Sequence, residues 1–195
     1  MRDNVYVRLG IPVLVVCIAA AAGLALTWTF TADKIEAQAR EAEKTSLAAV
    51  LPDAASFEAV TDAAVLAKAR AAAGDVGIDG VFNAVDSAGA TAGTGYLVAS
   101  RGYSGPIRMA VGLDRNGLVS GVMIVTMAET PGLGTKIVDD KTYLPKYTGL
   151  DSADKAKKVD TITGATKSSR GVRKGVEAAL AAFAATGGAE GGGSK

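Results

Sequence analysis

Two short segments carry most of the residues that could do chemistry. The first is Asp160-Thr161-Ile162-Thr163-Gly164-Ala165-Thr166-Lys167-Ser168-Ser169, which crowds five hydroxyls around a small Gly-Ala pair and runs into Arg170, Arg173 and Lys174. Small residues let a ligand come close to the backbone. A helix starting here would offer unpaired N–H groups and the positive end of its dipole, which suit a phosphate. Ser168 and Ser169 are expected as caps of that helix. The same residues also fit a Ser/Thr-rich helix start with no ligand. A nucleotide P-loop is excluded, because its pattern requires glycine at the positions held by Thr161 and Thr166. The second segment is Glu129-Thr130-Pro131-Gly132-Leu133-Gly134. Pro131 and the two glycines make a stiff turn whose backbone could lie against a planar ring. Leu133 would give apolar contact, and Glu129 and Thr130 would give hydrogen-bonding groups. A plain strand-ending turn is the other reading of these six residues.

Composition narrows the rest. The chain of 195 residues has no histidine and one cysteine, Cys17. A Ser-His-Asp or Cys-His site cannot be built, nor a zinc site of the usual Cys/His kind, a His-ligated haem, an iron–sulfur cluster or an internal disulfide. Lys+Arg and Asp+Glu nearly cancel, 21 against 20, and aromatics are 5%, which argues against a nucleic-acid partner. No catalytic residue and no metal ligand is assigned. Redox or group-transfer chemistry would have to use carboxylates, hydroxyls, Lys/Arg, backbone groups or a borrowed cofactor. Charge is also uneven. Between Asp33 and Asp62 there are seven acidic and three basic residues, and between Lys136 and Lys174 five acidic and ten basic, so the second half is the one suited to an anion.

The elements that must position these segments follow from pattern. Leu9 to Ala32 contains no charge, and a membrane-spanning helix needs roughly 20 apolar residues. Pro12 falls where the first turns would tolerate it, Cys17 reads as a small hydrophobe, and Trp28 suits the interface. Arg2 and Arg8 against Asp3 put the short N-terminus on the cytoplasmic side. Residues 33–50 continue as a helical stalk ended by Pro52, and 54–73 read as a second helix with Phe57, Val60, Ala64 and Ala67 on one face. Strands are expected within 77–85, 93–100, 107–113 and 118–127, with a hairpin turn at Asp114-Arg115-Asn116-Gly117. KVDTI, residues 158–162, is strand-like. A last helix spans about 169–185 with Val172, Val176, Leu180 and Phe183 on one face. The domain plan is thus a cytoplasmic N-terminus 1–8, a transmembrane helix 9–30, a stalk 31–52, an α+β domain 53–186 with an antiparallel sheet flanked by helices, and a flexible Gly-rich tail 187–195.

DTITGATKSS resembles the flavinylation motif Asp-x-x-Ser/Thr-Gly-Ala-Thr/Ser of the FMN-binding domain family. That family includes the G subunit of the Rnf electron-transport complex and the C subunit of the Na+-translocating NADH:quinone reductase. ETPGLG, GYSGPIRMAVGLDRNG and the opening span ending in TADKI are similar to the same family, so the resemblance covers all but the tail. It departs at Met127, where the family often has histidine. The length favours the G subunit of Rnf.

The resemblance implies that Thr166 carries FMN through a phosphodiester made by a flavin transferase, which makes it a phosphoryl threonine. Asp160, Thr163, Gly164 and Ala165 are implied as the rest of the recognised motif, with Lys167 and Ser168 beside it. Glu129, Thr130, Leu133 and Gly134 are implied near the flavin ring. The implied function is that of a membrane-anchored electron carrier, an enzyme only as one part of a translocase that couples electron flow between ferredoxin and NAD+ to Na+ or H+ transport. Its partners would be the other membrane subunits, the transferase and the lipid bilayer. It would sit in the cytoplasmic membrane with its main domain periplasmic or extracellular. The alternatives are the C subunit of the quinone reductase or another covalent-FMN carrier, and, in a different class, a non-redox anchored scaffold.

Overall fold

The computed structural model describes residues 5–187, with side chains from residue 9 onward; of the expected cytoplasmic N-terminus, 1–8, residues 1–4 fall outside that range, and the tail lies outside it beyond Gly187. The elements run α1 (Val5–Val50), β1 (Ser56–Ala59), α2 (Ala63–Ala73), β2 (Gly77–Val85), β3 (Thr91–Arg101), β4 (Pro106–Asp114), β5 (Val119–Met127), α3 (Lys136–Asp139), a 3-10 turn (Leu144–Tyr147), α4 (Ala153–Ala156) and α5 (Thr166–Thr186). The chain forms two compact units, Met1–Glu41 and Ala42–Lys195.

The first unit is the apolar part of α1, exposed almost throughout. Among the described residues it is the one helix long and apolar enough to cross a membrane. Its threonine hydroxyls are satisfied internally, as a hydrocarbon environment requires. The Thr27 hydroxyl donates to the Gly23 carbonyl at 2.9 Å and that of Thr29 to Leu26 at 2.8 Å. Pro12 lies inside the helix rather than in its first turn, because α1 already starts at Val5. One backbone bond is therefore unmade there.

The second unit begins at Ala42 rather than at residue 53, because the last turns of α1 are part of its core. Leu47, Val50 and Leu51 are buried with Ala84, Leu97 and Ala110. The sheet is an antiparallel meander in the order β1-β2-β3-β4-β5. Alternation along the strands explains how it is covered twice. Tyr96, Val98, Met109 and Val111 belong to the large core with α2 and α5, whereas Leu97 and Ala110 between them belong to the cluster under Leu47. β3 and β4 are thus apolar on both faces. Arg108 ties the same arrangement at the surface, reaching Asp79 at 2.8 Å and Glu43 at 3.3 Å.

The expected hairpin is present. The Asp114 carboxylate accepts from the N–H groups of Asn116 and Leu118 at 2.8 and 2.9 Å. Three further expectations change. Residues 56–59 form an edge strand paired to β2, and the helix starts only after Asp62, whose carboxylate caps Ala64 and Val65. KVDTI forms no strand: 158–162 runs as a turn and loop into the start of α5. Ser168 and Ser169 are not caps: α5 starts at Thr166, so both fall inside its first turns and are buried.

Candidate functional site

The site is built at one end of the sheet. Ile107 at the start of β4 pairs with Met127 at the end of β5. The residues just past β5 therefore meet the turn that joins β3 to β4. That turn closes through the Gly102 N–H and the Gly105 carbonyl at 2.9 Å. The Glu129 carboxylate accepts from the N–H of Tyr103 at 2.7 Å and from that of Ser104 at 3.4 Å. The hydroxyls of Thr130 and Ser104 lie 2.8 Å apart. Loop 129–134 is closed by the Thr130 carbonyl, which accepts from Leu133 and Gly134, and by the Thr135 hydroxyl, which accepts from Gly132.

The 160–166 loop reaches the same place from α5. The Ser169 hydroxyl accepts from the Ile162 N–H at 3.1 Å, and the Ile162 carbonyl accepts from Ala165 at 3.0 Å. Gly164 has φ +82°, a conformation that side chains rarely adopt. A Cβ there would sit 3.1 Å from the Lys136 ammonium. Beneath the helix start, the buried Tyr143 hydroxyl donates to the Ser169 carbonyl at 3.1 Å. The Tyr147 hydroxyl, 2.9 Å away, can then donate to Tyr143. Burial, followed by this bond, pushes Tyr147 well above the ordinary tyrosine value.

A cavity of about 360 Å³ lies between these parts, within the range of roughly 300–1,000 Å³ usual for small-molecule sites. Leu133 and Gly134 come from one loop, Gly164, Ala165, Thr166, Lys167 and Ser168 from the other, and Tyr103 from the strand turn. Thr166 is the first residue of α5 and is half-buried. Lys167 stands over the Tyr103 ring, 5.0 Å from its centroid. Lys136 and Lys167 are in no ion pair among the described residues, whereas Lys155, Lys157, Arg173 and Lys174 each have a carboxylate partner.

Of the residues singled out by sequence, seven thus line one cavity. Glu129 and Thr130 do not: their side chains are turned to the Tyr103–Ser104 turn. Asp160 and Thr163 are exposed and lie outside the lining. Three contributors escaped sequence reading: Tyr103, Lys136 and the Tyr143–Tyr147 pair. For Tyr103 a signal existed, a large aromatic set between glycines in a turn. For the others none did, since their roles depend on what packs over them.

The FMN-binding domain model matches residues 102–181, which takes in the strand turn, both loops and most of α5. The G subunit of the ion-translocating oxidoreductase complex of Methanosarcina acetivorans is 31% identical over 183 residues, 87% of this chain and 90% of its own. The chain belongs to this family of G subunits. Its counterpart in the Na+-translocating ferredoxin:NAD+ oxidoreductase complex of Acetobacterium woodii is 28% identical over 197 residues, 92% of each chain. Among solved structures, Shewanella oneidensis NqrC is similar at 25% identity and a TM-score of 0.45, over 54% of this chain and 58% of that one. This G subunit is an FMN-binding electron-transfer component of an ion-translocating oxidoreductase, a membrane protein with one N-terminal apolar helix.

Proposed function

We propose that this G subunit carries FMN covalently on Thr166 and relays electrons on the outer face of the cytoplasmic membrane. The complex would couple electron flow between ferredoxin and NAD+ to Na+ or H+ transport. The observation that carries the reading is the convergence of two loops, about thirty residues apart, on one cavity that Thr166 lines.

The residues present fit the group. Gly164 leaves room that a Cβ would take from the Lys136 ammonium. The N-terminus of α5 has no acidic residue in its first turn. Its N–H groups, Lys136 and Lys167 would hold the single negative charge of a phosphodiester. Leu133 and Tyr103 would shield the ring from water on the loop side. Asp160 and Thr163 are exposed, which suits recognition by a flavin transferase before attachment rather than contact with the bound group. FMN supplies electron exchange when bound; the protein positions it and sets its potential. A tether keeps the local flavin concentration high where a lost cofactor could not be recovered.

Partners under this reading are the other subunits of the complex, the transferase and the bilayer. The orientation follows from Arg2 and Arg8, with the N-terminus inside. Mass mapping of peptides from the full chain co-expressed with a flavin transferase tests the core of the proposal. The FMN mass is expected on the peptide containing Thr166, and its appearance on another hydroxyl overturns the assignment. Protease added to sealed, right-side-out cells is expected to remove the domain after Asp33; protection would reverse the orientation.

A further inference from the structure

We propose that Tyr103 is the aromatic wall against which the flavin ring lies, and that Glu129 is the residue that positions it. The inference rests on the reading that FMN is held at Thr166. It brings in Tyr103, which lies outside both the attachment motif and the glycine-rich loop, and gives Glu129 of that loop a role through Tyr103 rather than against the ring.

Tyr103 is 59% exposed, so the core has no need of its ring. Yet its turn and ring are held by three contacts from two elements, loop 129–134 and α5. Its own N–H is held by the Glu129 carboxylate at 2.7 Å, the neighbouring Ser104 is held by Thr130 at 2.8 Å, and its ring meets the Lys167 ammonium at 5.0 Å. An ordinary surface tyrosine has no such set of ties. The chain also makes space for the carboxylate that holds it. A Cβ at Gly102 or at Gly134 would overlap an oxygen of Glu129. Two glycines therefore flank a carboxylate that does not itself line the cavity.

The remaining large apolar side chain of the cavity is Leu133, 48% exposed. An aromatic ring and a leucine, each on a tied turn, line one cavity with the small Gly164–Ala165 stretch, a combination that suits a flat conjugated ring. Aromatic rings gain specific stacking energy beyond the area they bury. Glu129 acts through Tyr103, as a positioning residue.

Flavin fluorescence reads this contact directly. A phenol against an excited flavin passes it an electron that returns at once, with no net oxidation, and emission is quenched. The experiment uses the full chain in detergent, co-expressed with a flavin transferase and carrying Tyr103→Leu, Tyr103→Phe, Glu129→Gln or Glu129→Ala. Emission of the native protein is divided by that of the same sample unfolded, and gel fluorescence under denaturing conditions reports attachment separately. Tyr103→Leu is expected to raise native emission several-fold with attachment unchanged. Tyr103→Phe should raise it too, since phenylalanine is a poor electron donor, while keeping the visible spectrum closer to that of the parent than Tyr103→Leu does. Glu129→Ala should raise it by less than Tyr103→Leu, and Glu129→Gln, which still offers an oxygen to the two N–H groups, by less again. Unchanged native emission in Tyr103→Leu overturns the proposal, and so does loss of its gel band, which would make Tyr103 a determinant of maturation. A parent chain without covalent flavin overturns the underlying reading as well, and is told apart because the gel band is then missing from every sample.

Discussion

The two loops that border the cavity are held in opposite ways. Loop 129–134 is fixed by side chains that reach across the sheet end: Glu129 to Tyr103 and Ser104, and Thr130 to Ser104. Loop 160–166 is fixed from inside, through the buried Ser169 hydroxyl and the Tyr143 hydroxyl under the helix. The first uses its polar side chains on its neighbours and leaves Leu133 facing the cavity. The second keeps its own hydroxyls unburied and presents Thr166 at a helix start. Under the proposed function this difference makes sense: a surface that fits a rigid ring is best fixed from outside, and a hydroxyl that is modified is best left accessible on a backbone fixed from below.

The largest expected effect falls on the second loop. Thr166→Ala should abolish gel-detectable covalent flavin, and Thr166→Ser should retain part of it, because only the hydroxyl is needed. Gly134→Ala would break the first loop instead. Its Cβ would overlap Glu129, and overpacking of this kind costs about 1–3 kcal/mol. Thermal unfolding should show it at about 2–4 °C per kcal/mol for a domain of this size, with flavin attachment kept. Ser169→Ala should cost about 1 kcal/mol through one lost hydrogen bond, again with attachment kept; no loss of stability would mean that the Ile162 N–H finds another partner. Leu133→Ala is expected to leave stability nearly unchanged, since the residue is exposed, and to shift the flavin spectrum or potential. If neither moves, the ring does not touch this loop.

The smallest effect at neutral pH concerns two buried tyrosines, Tyr147 beneath the start of α5 and Tyr96 beside its last residue, Thr186. Burial pushes Tyr96 up to about 12 and raises Tyr147 further still. Both are neutral in the fold and ionise more easily in the unfolded chain, from an ordinary value of 10.0. Their contribution to stability is therefore complete below pH 10 and is lost as pH rises through the folded values. Denaturant unfolding between pH 9 and 12 should show stability falling above pH 10, and Tyr147→Phe should make that fall shallower.

Much of the fold was legible because its signals are local. The four longer strands, the Asp114 hairpin and the apolar face of α5 follow from period and turn chemistry. Ser56–Ala59 was not legible. Phe57 and Val60 stand at helical spacing, and only pairing with Phe82 and Ala84 makes the segment a strand. Ser168 and Ser169 resemble caps because Ser is a good cap, but the helix starts at Thr166 once Gly164 turns the chain.

By itself, then, the sequence determined the apolar helix, the α+β class and the absence of any histidine chemistry. These depend on residue type and on spacing within a few positions. The tertiary structure decided that Glu129 serves Tyr103 rather than facing the cavity, and that Lys136 stands over Gly164. It also made Ser169 an internal tie rather than a cap. The reason is register. Glu129 and Tyr103 are 26 residues apart, and only the pairing of Ile107 with Met127 brings the end of β5 beside the turn before β4.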